Sequence, residues 1–369
     1  MGFWRAGFAG LGVLLCAAAG PALAEAREVG EYISFYYQAP APEEAPEVIG
    51  ALLDSEILNS KAAVESDFRG TTAYFFGRIG QMNPEIKVFY RALFEKSADK
   101  SFLVHIFRYC ADEEDRKYLL AKVKDPGFEE PAEMVNGLFG SGLTEPVNLP
   151  ERDIKRSGDL DYYWNEFFLT GSEQVLEKLL NVISWPDRTR AKVESYLNGS
   201  AAPENKEKVR QMLRTEFDFH FGKGGEILSK DDLDSKLALA VTTQGKGKEF
   251  QELNNLLGFT DEDTLHYATK GAVAWALASN ALQHEKVLRF LEKKIPDLTG
   301  GALLLALQTA GEAELERNED AAAEKHIRKV IELNPTDLRA LEYLHLIYVK
   351  RDDDEGASDV NAKIKALEA

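Results

Sequence analysis

The sequence predicts an all-α protein built from antiparallel helix pairs, with no substantial sheet. Three observations carry this expectation. Apolar residues recur at helical spacing through most of the chain and at strand spacing almost nowhere. Polar turns separate segments of roughly 12–16 residues, short enough to make neighbouring helices antiparallel. The pattern is clearest from 298 to 369. There Leu303, Leu304, Leu307 and Ala310, then Ile327, Val330 and Ile331, then Leu341, Leu344, Ile347 and Tyr348 form successive stripes. Arg317-Asn318-Glu319-Asp320 and Asn334-Pro335-Thr336-Asp337 separate them.

Composition narrows the class. The 369 residues carry 44 Lys+Arg against 62 Asp+Glu, a net charge of −18, with 44% hydrophobic content. This much apolar surface excludes wholesale disorder. The acidic balance argues against nucleic acid and anionic membrane surfaces as partners, since both demand a basic footprint. Two cysteines cannot build a disulfide scaffold or a cysteine-rich zinc module. The length suits two domains or one elongated array.

Residues 1–24 read as a signal peptide. Arg5 precedes an apolar stretch over 6–19, a Gly20-Pro21 breaker follows, and Ala22-Leu23-Ala24 supplies the small-x-small pattern before Glu25. The competing reading is an uncleaved anchor or a buried helix, but the stretch is shorter than the roughly 20 residues that spanning requires. Leu15 before Cys16 disfavours a lipoprotein. Cleavage removes one Arg and no acid, taking the charge from −18 to −19, and leaves Cys110 as the only thiol. The expectation is a periplasmic or secreted protein without an internal disulfide, and no later segment is apolar enough for stable membrane insertion.

Along the mature chain, 25–123 forms an N-terminal helical region. Residues 32–37 and 101–110 are the best strand candidates. In the second, Phe102 and Ile106, and Leu103 and Phe107, are also i,i+4 pairs, so a buried helix serves as well and is preferred. Residues 124–158 hold nine Gly or Pro in 35, against 41 in 369 overall, and read as a linker or functional loop containing one short helix at 132–139. A central helical repeat region occupies 159–297, with a softer break at 198–205. Three segments superpose: Phe75 to Pro84-Glu85, Tyr163 to Ser172-Glu173, and Trp275 to His284-Glu285. Each has an aromatic residue, nine residues to a helix start, then Glu, which suits a first turn. Asn83-Pro84 reads as an N-cap followed by Pro at the first helical position.

The stretch 298–369 resembles a tetratricopeptide repeat, a 34-residue helix pair. Counted back from Pro335, Leu307 takes the large apolar position, Gly311 and Ala323 the two small positions, and Ile327 and Val330 the packing face. In the next register Leu341, Leu344 and Tyr348 match, but His345 stands where a small residue is expected, so 356–369 is read as a capping helix instead. The match covers about a fifth of the chain. It implies an α-solenoid whose surface binds a protein or peptide.

Catalytic motifs are missing. Gly140-Ser141-Gly142 lacks the spacing of a nucleophile elbow. The pairs Gly222-Lys223, Gly245-Lys246 and Gly247-Lys248 lack the flanking residues of a phosphate loop. The closest of six histidines, His266 and His284, are 18 apart, so none share a helical face at ligand spacing. His105 reads as a core histidine, His220 as a helix end, and His266 as an exposed partner of Glu262. Cys110 precedes Asp112, Glu113, Glu114 and Asp115, whose charge disfavours thiolate. The acidic clusters 112–115, 231–234 and 352–355 lack calcium-loop spacing and read as solvated helix starts. No cofactor or metal is implied. Asn198-Gly199-Ser200 matches a glycosylation acceptor. The consecutive Tyr162, Tyr163 and Trp164 cannot all face one side of a helix, so they are candidate partner anchors. The resulting expectation is an exported, non-catalytic interaction module. The alternative is an exported hydrolase with carboxylates or histidines assembled across helices.

Overall fold

The computed structural model describes residues 21–55, 57–59, 67–125, 128–143, 149, 152–155, 157–185, 192, 195–207, 209, 257–258 and 260–368. His220, the acidic run 231–234, the three Gly-Lys pairs and the apolar stretch 6–19 lie outside these residues. Every regular element among the described residues is helical, and helix pairs pack side by side. Both strand candidates are helix: 32–37 closes one helix and enters a 3-10 turn, and 101–110 lies within another. The chain divides into two compact units, Met1–Ile154 with Gly158–Val175, and Lys155–Ser157 with Leu176–Ala369.

The first unit contains α1 (Pro21–Phe35), α2 (Ala45–Asp54), α3 (Phe68–Met82), α4 (Lys87–Lys96), α5 (Lys100–Cys110), α6 (Glu113–Lys122), α7 (Glu129–Phe139) and α8 (Leu160–Thr170). Its centre is α3, where Tyr74, Phe75, Phe76 and Ile79 are all fully buried. Complete burial of such a side chain contributes about 1.5–3 kcal/mol. Two glycines set how closely α5 approaches. A Cβ on Gly77 would lie 2.6 Å from Tyr109 Cβ and 2.7 Å from the Ile106 carbonyl oxygen, and one on Gly80 would lie 3.2 Å from Cys110 Cβ, as well as 2.9 Å from Tyr90 Cε2 on α4. The helix starts have local causes. Asp99 accepts the Phe102 N–H at 3.1 Å, and Asp112 with Asp115 forms a reciprocal capping box. Asn83 makes no cap with its side chain; its amide instead donates back to the Ile79 carbonyl at 3.0 Å and closes α3. The helix at 160–170, read from sequence with the central region, belongs to this unit and packs on α3 and α1.

The second unit contains α9 (Glu173–Ile183), mainly, and α10 (Asp261–Gln283), α11 (Glu285–Lys294), α12 (Gly300–Glu316), α13 (Asp320–Leu333), α14 (Leu338–Lys350) and α15 (Asp354–Glu368). Helix α10 starts at a capping box between Thr260 and Asp263, and α14 where Asp337 accepts the Ala340 N–H at 2.9 Å. From α12 onward the backbone repeats at 34 residues. Asn318 (φ 60°) and Asp352 (φ 55°), numbers 34 apart, both turn left-handed after their helix. Asn and Asp tolerate that conformation better than other side chains. Each turn is locked alike, by Glu319 N–H to the Glu314 carbonyl at 2.8 Å and by Asp353 N–H to the Tyr348 carbonyl at 3.0 Å. The offset also links Leu307 to Leu341, Ala323 to Ala357 and Val330 to Ile364, all buried in one core. The segment read as a cap is thus the second half of a helix pair. His345, at the position of Gly311, is accommodated because its Nδ1 donates to the Ala357 carbonyl at 2.9 Å. No helix among the described residues is long and apolar enough to cross a membrane.

Candidate interaction face

The aromatic run on α8 is mostly core. Tyr163 is 1% exposed and its hydroxyl lies 2.6 Å from the Arg152 carbonyl and 3.1 Å from that of Leu149. Trp164 is 5% exposed, stacked on Phe168 and edge-on to Phe167. Only Tyr162 is half-exposed; its ring meets Tyr74 edge-on at 5.4 Å and its hydroxyl donates to Asp67 at 3.2 Å. The three side chains do point different ways, but α8 is enclosed on several sides, so pointing away from one neighbour means pointing into another. Tyr163 and Trp164 are therefore not available as partner anchors.

Several polar networks were not foreseen. Glu166, 4% exposed, accepts from the Tyr74 hydroxyl at 2.5 Å and from Arg78 at 2.9 and 3.1 Å. Burial and then the Glu166 charge push the Tyr74 hydroxyl well above its usual range. A carboxylate saturated in this way is structural. A lone Glu inside the aromatic stretch Trp164–Phe168 was the available signal. Lys87 is buried between Asp112 and Asp115, and Arg91 also reaches Asp115 at 2.6 Å. Burial alone would raise Asp112, but Lys87 and the backbone N–H groups of Asp115 and Glu114 hold it down at about 2. The cluster 112–115 is thus partly an ion network and not merely a solvated helix start. Among the described residues no group of three or more His, Cys, Asp or Glu is arranged to hold a metal ion.

Cys110 is 7% exposed, and burial, followed by the nearby Asp115 charge, pushes its thiol well up. His105 is half-buried, and burial with Arg108 and Arg69 lowers its pKa. His266 is not simply exposed: it is half-buried with its ring stacked 4.3 Å from Trp185. His284 is fully buried, and loss of hydration drops its pKa to about 4.

The helix-pair positions read from sequence come together on α12 and α13. Leu307, Ala323, Ile327 and Val330 are at most 2% exposed, and a Cβ on Gly311 would lie 2.9 Å from Ile327 Cγ1. Pro335 sits exposed in the turn after α13. Ala22, Ala24 and Glu25 lie in the first turns of α1.

These contacts present one face of α12 beside α14. Gln308 donates to Asp337 at 2.6 Å, while Glu312 accepts from Tyr343 at 2.7 Å and from Arg339 at 2.5 Å. Burial pushes the Tyr343 hydroxyl up to about 12, with Arg339 opposing and Glu312 adding to it. One turn further along α14, Leu346 is 43% exposed and Val349 53% exposed. They share a stripe with Glu342, at spacings of four and three residues, and the acidic run 352–355 follows the end of the helix. Cations along α14 and just after it are engaged: Arg339 with Glu312, Lys350 with Asp320 and Arg351 with Glu324. Asp352, Asp353, Asp354 and Glu355 are all exposed. The face is an apolar step bordered by negative charge. Comparison with protein-family models, with curated proteins and with solved structures finds no match for this chain.

Proposed function

We propose that this chain is an exported protein-interaction module that holds a partner segment on the face of α14. The observation that carries the reading is the exposed Leu346–Val349 step between Glu342 and the acidic run 352–355, on a helix whose own cations are already paired. The resemblance of 298–369 to a tetratricopeptide repeat supports it, as does the 34-residue backbone repeat. Charge complementarity defines the occupant: an amphipathic protein segment with apolar side chains flanked by Lys or Arg. Export rests on the signal-peptide pattern of 1–24 and predicts a mature chain starting at Glu25, which N-terminal sequencing of the protein from its native source would read directly.

The binding test uses the full chain and two fluorescent helical peptides with identical apolar positions, one flanked by Lys and one by Glu. The Lys peptide should bind, more weakly as salt rises. Leu346→Asp or Val349→Asp should weaken it roughly tenfold or more, since each removes apolar contact and adds a desolvated charge. Equal binding of both peptides, binding of neither, or no effect of variants that keep the wild-type circular dichroism would overturn the proposal.

The second reading, an exported hydrolase, draws on the His–carboxylate contact of His326 Nδ1 with Glu314 Oε2 at 2.8 Å. Turnover of ester, peptide or glycoside substrates that is lost in His326→Gln would favour it over the binding module.

A further inference from the structure

The chain holds two Asn-Gly dipeptides, Asn136-Gly137 and Asn198-Gly199. Asn before Gly is the pairing most prone to self-modification, because no Cβ hinders the Gly amide nitrogen from reaching the Asn side-chain carbonyl carbon. Ring closure also requires the Asn backbone to leave helical ψ.

The structure places the two pairs in opposite settings. Asn136 and Gly137 are exposed but lie inside α7, and the Asn136 carbonyl accepts the Gly140 N–H at 2.9 Å. Leaving helical ψ there means breaking a helix whose Val135 and Phe139 are fully buried. Asn198 is the last helical residue before a turn, and Gly199 and Ser200 are exposed in that turn. The Gly199 N–H makes a long contact, 3.3 Å to the Tyr196 carbonyl. A helix end opens at smaller cost than a helix interior, since its last residues hold fewer backbone hydrogen bonds.

From this contrast we infer that Asn198 is a site of spontaneous deamidation in the folded protein, and that Asn136 is protected by its helix. The Gly199 amide loses its proton to solvent and its nitrogen attacks Asn198 Cγ. A nitrogen–carbon bond forms, the Cγ–Nδ2 bond breaks, and ammonia leaves. The five-membered imide then takes up one water, which opens it at either carbonyl to aspartate or isoaspartate. One water is consumed and one ammonia released, with no change of oxidation state. The product carries a new negative charge at a helix C-terminus, an unfavourable place for an anion. Lys206, whose Nζ donates to the Gly199 carbonyl at 2.7 Å, is the cation available to meet it.

The test is peptide mapping by mass spectrometry of the full chain, made in a host that does not glycosylate and then held in mildly alkaline buffer. Native and urea-unfolded samples are compared over time. Conversion at 198 should outpace conversion at 136 roughly tenfold or more in the native sample, and the gap should close in urea. Asn198→Gln should abolish the modification at 198 and leave 136 unchanged. Equal native rates, faster conversion at 136, or no conversion at 198 in either sample would overturn the inference.

Discussion

Glu314 and His326 meet across the α12–α13 interface, His326 Nδ1 2.8 Å from Glu314 Oε2, with Glu314 only 2% exposed. Glu314 occupies the place that Tyr348 takes one repeat later, so a carboxylate stands where the second pair has a phenol. The histidine supplies the polar partner that this substitution demands. His326→Ala should therefore cost the second unit about 2–3 kcal/mol, because it strands a buried acceptor. Glu314→Gln, which keeps the shape and a hydrogen bond, should cost less. Urea denaturation of both variants decides; equal midpoints for wild type and His326→Ala would sink the idea.

The glycine contacts predict an order of damage. At Gly77 an added methyl would meet the backbone carbonyl of Ile106 at 2.7 Å, whereas at Gly311 its nearest neighbour is Ile327 Cγ1 at 2.9 Å. A side-chain carbon can shift by rotation; a carbonyl inside α5 cannot. Overpacking of this kind costs about 1–3 kcal/mol. Gly77→Ala should lie at or above the top of that range and Gly311→Ala near the bottom, as read by thermal unfolding.

His284 makes the second unit sensitive to acid. Its folded pKa is lowered to about 4 by burial, against the ordinary 6.5 of an unfolded histidine. Its contribution is fully present above pH 6.5 and is lost as pH falls through 6.5 towards 4, because only the unfolded chain takes up the proton. The loss should reach about 2–3 kcal/mol. His284→Gln should flatten the stability–pH curve in that window; an unchanged slope would contradict this.

Asp161 has the opposite sign. Burial first, then the neighbouring Asp67 charge, raises its pKa from 3.8 to about 6. Stability from the protonated form is full below 3.8 and falls as pH rises through 6, so the ionised group weakens the first unit at neutral pH. Asp161→Asn should stabilise that unit by about 1–3 kcal/mol at neutral pH, discounted for partial exposure, and have little effect in acid. Denaturation at two pH values separates the two outcomes.

Much of the helical framework was legible from local pattern. The stripes at Leu307, Ile327 and Leu341 needed only 3.6-residue periodicity, and the polar turns at 317–320 and 334–337 fall where helices end. The second helix pair was obscured by His345, whose size argues against close approach until its bond to the Ala357 carbonyl is seen. Tyr162, Tyr163 and Trp164 misled for a related reason. Spacing reports which side chains diverge on one helix and nothing of how many neighbours surround it. The Glu166 network was invisible because Tyr74 and Arg78 lie 92 and 88 residues away.

The sequence by itself determined that this chain is helical, paired and strongly acidic, because periodicity, turn chemistry and charge act over a few residues or sum over all of them. Only the tertiary structure decided which aromatics are core, which carboxylates are saturated, and which apolar side chains, Leu346 and Val349 among them, are left facing water. Burial is a property of the neighbours a residue acquires, and those neighbours come from distant parts of the chain.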